Sequence, residues 1–181
     1  MNSRSISIAG LGLLVLSQIL LAFGYDFLMS QRPLDYAHWS LLIAALLLFS
    51  LWFSLPHNAT KKIGLCLMTA GIAGIIGMCT IDFILWAAHE NIVLKDEILS
   101  LIMSKPILEL PFLVIGPSLF YGGMSIATYG LFRDYKAGVI LLNIGALLIG
   151  LGFMALKSHL LPAAGSILLF IGFSMILLKS K

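Results

Sequence analysis

The chain has 181 residues, 60% of them hydrophobic and only 10% charged, with a mean hydropathy of +1.06. An ordinary soluble domain carries about 25% charged residues, so a soluble fold that hides this much apolar surface is excluded and lipid is the expected solvent. The formal net charge is +3 and the pI near 9.0, but the basic residues form short clusters between apolar runs rather than one stripe, which excludes a nucleic-acid face.

Six apolar segments follow one another, at about 6–27, 38–55, 63–88, 109–132, 137–156 and 160–178. Each is near the ~20 residues that cross the hydrocarbon core as a helix. In lipid the backbone must satisfy its own hydrogen bonds, and these segments lack the short alternating pattern of barrel strands. The expectation is an all-α, polytopic transmembrane helical bundle of about six spans, a single domain over residues 1–181.

The first segment follows Arg4 and resembles a secretory signal, with Ala22-Phe23-Gly24 in the place of a cleavage site. Its apolar run exceeds a usual signal core, so it reads as a retained span. Cys66 and Cys79 fall in the third segment, separated by roughly 20 Å of helix, and cannot bond to each other. That segment also carries Gly71, Gly74 and Gly77 at intervals of three, the small-residue face that lets helices approach in lipid. It is expected at the centre of the bundle.

After it, apolar and charged residues mix over about 92–104, which predicts an amphipathic helix on the membrane surface, a connector or a lid, ended by Pro106. Pro111 and Pro117 predict a kink in the fourth span. Pro162 sits in the first turn of the sixth, where proline is tolerated. The echo of Tyr25-Asp26-Phe27-Leu28 in Ile81-Asp82-Phe83-Ile84 aligns too little else to establish a repeat.

Loop charges set the expected orientation. Arg4, Lys61, Lys62, Arg133, Lys136, Lys179 and Lys181 fall on one side, against Arg32, Lys95, Lys105 and Lys157 on the other. The positive-inside rule then places both termini in the cytoplasm of a bacterial-type inner membrane.

Ionisable residues within spans are functional candidates by default. Counted along continuous helices from the inner charges, Asp26, Asp82 and Glu109 reach the outer boundary, about 30 Å up, together with His38, His89 and His159. These six form a candidate outward polar site, set against the simpler reading of solvated interfacial groups. Carboxylates and imidazoles suit a divalent metal, and paired histidines suit haem, yet no histidine lies deep in a span, so no cofactor is expected and a metal is left unknown. Near the bilayer centre the polar residues are uncharged, among them Gln18 and Asn143, which are expected to hydrogen-bond between helices, with lining a substrate path as the alternative.

No HExxH, GxSxG, Walker or dinucleotide-binding motif occurs. The leading expectation is a non-enzymatic membrane component whose partners are the bilayer and other membrane subunits or further copies of itself. The alternatives are an outward-opening transporter or ligand-binding or metal-binding membrane protein using Asp26, Asp82 and Glu109, and an intramembrane enzyme on a lipid-like substrate. The enzyme reading requires a cavity that reaches Asp82 from the lipid side.

Overall fold

The computed structural model describes residues 2–179 and is all-helical over them. Six helices are long and apolar enough to cross a membrane: Ser3–Ala22, Tyr36–Ser54, Lys61–Ala87, Pro106–Tyr129, Lys136–Met154 and Leu160–Lys179. Only 33–44% of each apolar window is buried inside the molecule, so the remaining apolar surface needs an apolar surrounding. Lys181, one of the basic residues used for orientation, lies outside the described residues.

The elements are α1 (Ser3–Ala22), α2 (Tyr25–Ser30), α3 (Tyr36–Leu48), α4 (Leu51–Ser54), α5 (Lys61–Ala87), α6 (Ile92–Ser104), α7 (Pro106–Glu109), a π-helical turn (Leu110–Ile115), α8 (Gly116–Tyr129), α9 (Lys136–Met154) and α10 (Leu160–Lys179). Sequence neighbours pack as three hairpins: α1 with α3, α5 with α8, and α9 with α10. Further contacts of α3 with α5, α8 with α9, and α10 with α1 close the spans into a ring.

The hairpins are held by backbone-to-backbone approach. A Cβ on Gly74 would lie 2.3 Å from the Cα of Gly116, one on Gly71 2.2 Å from the amide nitrogen of Phe120, and one on Gly64 2.1 Å from that of Ala127. Only glycine permits α5 to lie this close to α8. Gly77 serves the same helix pair differently, lying flat against the ring of Phe112. Between α9 and α10, Gly145 and Gly165 each approach the other's carbonyl oxygen, at 2.5 Å from the would-be Cβ.

Polar contacts supplement this packing. Ser7 of α1 bonds the hydroxyls of Ser50 and Ser54 at 2.6 and 2.7 Å, and Trp52 donates to Thr69 across to α5 at 3.1 Å. At the same end of the ring, Asn58 donates to the carbonyl of Ala127 and Thr60 accepts from the amide of Gly130, tying two loops together.

Three spans are not continuous α-helices: the second breaks at Phe49–Ser50 between α3 and α4, and the first and fourth depart further. The first ends at Ala22, because Gly24 takes a left-handed φ of 89° that turns the chain before α2 begins. The fourth is wound as a π-helix over Leu110–Ile115, with the Gly116 amide bonded to the Pro111 carbonyl five residues back. Pro117 has no N–H to offer the carbonyl four residues before it and its ring crowds that position, so the looser register relieves both conflicts. The helix expected at 92–104 forms at Ile92–Ser104, with Asn91 capping it and only Ile102 buried.

Candidate functional site

Asp35 precedes the apolar run of α3 and acts as its N-cap, its carboxylate accepting the His38 backbone amide at 3.1 Å. The same three-residue step places the His38 ring over that carboxylate. Nδ1 lies 2.5 Å from the second carboxylate oxygen, a hydrogen bond that fixes the orientation of the ring. Both residues are buried, Asp35 to 1% exposure.

The third member comes from α5. Asp82 Oδ2 lies 3.2 Å from His38 Nε2, so one imidazole stands between two carboxylates on opposite sides of its ring. Next to Asp82, Phe83 stacks on Trp39 with centroids 5.0 Å apart and meets His38 edge-on at 6.5 Å, which locks α3 against α5 at the height of the pair.

His38 and Asp82 face a cavity of about 650 Å³ inside the ring, within the usual size of small-molecule sites. Its wall is mostly apolar, with Leu41, Ile75, Met78 and Leu113 among the lining residues. Along α9 it runs from Asn143 to Met154, eleven residues or roughly 16 Å. The π-helical turn and Pro117 form part of the opposite wall.

Leu147 and Met154 line the cavity and also belong to the exposed outer stripe of α9, with Ile140, Ile144 and Leu151. Ser118 and Gly122 do the same on α8, in line with exposed Ile115 and Ile126. The cavity therefore opens sideways between α8 and α9. Two glycines flank this opening: a Cβ on Gly122 or Gly150 would meet nothing within 4 Å, so neither is required for packing.

Of the six residues predicted to share a site, the structure brings three to this cavity: His38, Asp82 and the exposed His159 near the start of α10. Asp26, Glu109 and His89 do not line it. Asp26 was placed by counting along an unbroken helix, but the turn at Gly24 puts it on the exposed face of α2. Glu109 closes α7, just before the π-helical turn. His89 lies past the end of α5, where Nε2 is 2.7 Å from Arg32 and Nδ1 is 2.8 Å from the Trp86 carbonyl. Arg32 also pairs with Glu90 at 3.4 Å and covers the face of Trp86. Among the described residues no group of three or more His, Cys, Asp or Glu is placed to hold a metal ion. The two carboxylates around His38 point at different nitrogens and do not converge on a shared point.

The expectation for Asn143 and Gln18 is corrected. Asn143 donates to the Val139 carbonyl of its own helix at 2.7 Å, and Oε1 of Gln18, a residue 1% exposed, has no hydrogen-bond partner. Both line the cavity instead of joining helices. None of the α6 residues is in the cavity wall. Asp35 is not among the six residues singled out from the sequence. The N-cap spacing Asp35-Tyr36-Ala37-His38, directly before an apolar run, was the available signal that it would meet His38.

Chemically, Asp35 fixes the ring of His38, and the Nε2–Asp82 side can hold or release a proton or attract a cation at the head of an apolar chamber. Compared with protein-family models, curated proteins and solved structures, the chain matches none of them.

Proposed function

We propose that this chain is an integral membrane protein that takes an amphiphilic small molecule out of the bilayer and holds it within its helical ring. The observation that carries this reading is the pairing of His38 and Asp82 with a mostly apolar chamber that opens on the molecule's flank. An apolar chain suits the wall and a polar head suits the carboxylate–imidazole end. A flank opening is the natural route for a ligand dissolved in lipid.

The glycine faces that suggested a packing subunit are used within the chain, Gly71, Gly74 and Gly77 against α8 and its π-helical turn, and Gly145 against α10. That weakens the reading in which those faces await a partner. The loop-charge asymmetry supports a cytoplasmic location for both termini of an inner-membrane protein. A cysteine at Ser100 should then react with an impermeant maleimide on intact cells, whereas one at Asp134 should not; the opposite pattern reverses the orientation.

The cavity itself is tested by filling it. Leucine at Gly122 or Gly150 enters open space and leaves the ring packing intact. An amphiphile that binds the folded state raises its melting temperature by mass action. The wild-type protein in maltoside micelles is expected to show a dose-dependent rise with twelve-carbon amphiphiles, and Gly150→Leu to remove it while folding normally. An undiminished rise in Gly150→Leu would place binding elsewhere and defeat the proposal.

A further inference from the structure

The head group of the occupant follows from the charges around the chamber, on the reading that the cavity binds an amphiphile. Asp35 and Asp82 flank a single imidazole, so two acidic side chains share one basic one. No lysine or arginine lines the cavity, and among the described residues neither aspartate pairs with one. Arg32, three residues from Asp35 in sequence, is engaged with His89, Glu90 and Trp86. A carboxylate without a full counter-charge is unfavourable in apolar surroundings, and a cation brought beside it favours its ionised form.

An independent observation points the same way. Gln18 is 1% exposed, lines this cavity, and holds its Oε1 without a partner, an unmade bond that only a donor can complete. The chamber thus combines an uncompensated carboxylate with an unused carbonyl acceptor. A carboxylate or phosphate head would be repelled by the first. A quaternary ammonium answers the charge but has no N–H. An alcohol answers the acceptor but has no charge. A primary ammonium has both a positive charge and three donors.

We propose that the cavity selects an amphiphile whose head is a primary ammonium, seated between Asp82 and Gln18 with its chain along α8 and α9. Four probes of equal chain length separate the possibilities: dodecylamine, dodecyltrimethylammonium, dodecanol and dodecanoate, titrated into purified full-length protein in maltoside micelles and read by thermal shift. Dodecylamine is expected to bind tightest, at least about tenfold more strongly than dodecanol, with dodecanoate weakest. Asp82→Asn should abolish the preference for the two cations, and Gln18→Leu should narrow the margin of dodecylamine over dodecyltrimethylammonium. Gln18→Leu keeps the test valid if Asp82→Asn does not fold.

Equal affinities for dodecanol and dodecylamine, or tightest binding of dodecanoate, would overturn the head-group assignment while a loss of all binding in Gly150→Leu still upheld the cavity. Responses that persist unchanged in Gly150→Leu would remove the amphiphile reading and this inference with it.

Discussion

Asp35 carries two tasks with one carboxylate, capping α3 and orienting His38. The tasks separate by substitution. Asn retains a side-chain oxygen for the His38 amide, whereas Ala removes the cap altogether, a loss of about 1 kcal/mol. Asp35→Ala is therefore expected to lower the melting temperature more than Asp35→Asn, while both loosen the ring of His38 and weaken amphiphile binding. Equal melting temperatures for the two variants would show that the cap contributes nothing. Asp82 was legible as a candidate because α5 runs unbroken from Lys61 to Ala87, and His38 because it opens an apolar span. Asp26 stays outside the cavity because Gly24, at positive φ, ends the helix along which its position was counted. Gln18 was legible as a buried amide, but its environment was not, since residue type does not tell a helix-facing position from a cavity-facing one.

At the scale of elements, glycines with the same sequence signature have two different uses. Gly74 and Gly116 bring α5 and α8 into backbone contact, while Gly122 and Gly150 border empty space. Gly74→Ala places a methyl 2.3 Å from the Cα of Gly116 and forces the hairpin apart. A destabilisation of about 1–3 kcal/mol is expected, in the range of overpacked cores. Gly12→Ala, which meets nothing within 4 Å, should leave stability unchanged or slightly raised. Comparable melting temperatures for Gly74→Ala and Gly12→Ala would contradict the close packing of α5 on α8. The six apolar segments and the amphipathic helix were readable from hydropathy and spacing. Pro111 and Pro117 announced a distortion, but not that it would take the π-helical form that lines the cavity. That outcome depends on which carbonyls the neighbouring turns can still satisfy.

For the molecule as a whole, the three hairpins close into a ring whose seam between α8 and α9 is left open around an apolar chamber, with its ionisable groups gathered near one end. Composition predicts the number of helices, since hydropathy is a local property. Ring closure and the cavity depend on contacts between residues far apart in sequence, such as His38 with Asp82 and α1 with α10. The division of labour is consistent across scales: glycines close the hairpins, the π-helical turn and Pro117 shape one wall, and the Asp35–His38–Asp82 row supplies polarity at the end.

The central claim, that an amphiphile's chain enters this chamber, is tested most directly by a tryptophan placed within it. In a protein whose three native tryptophans are replaced by Phe, Tyr121→Trp puts the reporter on the cavity wall, and Ile144→Trp in a second protein puts it on the outer stripe of α9. A dodecylamine brominated on its chain is expected to quench the Tyr121→Trp protein saturably, and adding Gly150→Leu should abolish that quenching. The Ile144→Trp protein should be quenched without saturation and regardless of Gly150. Quenching confined to the Ile144→Trp reporter, with the Tyr121→Trp emission unchanged, would contradict the account.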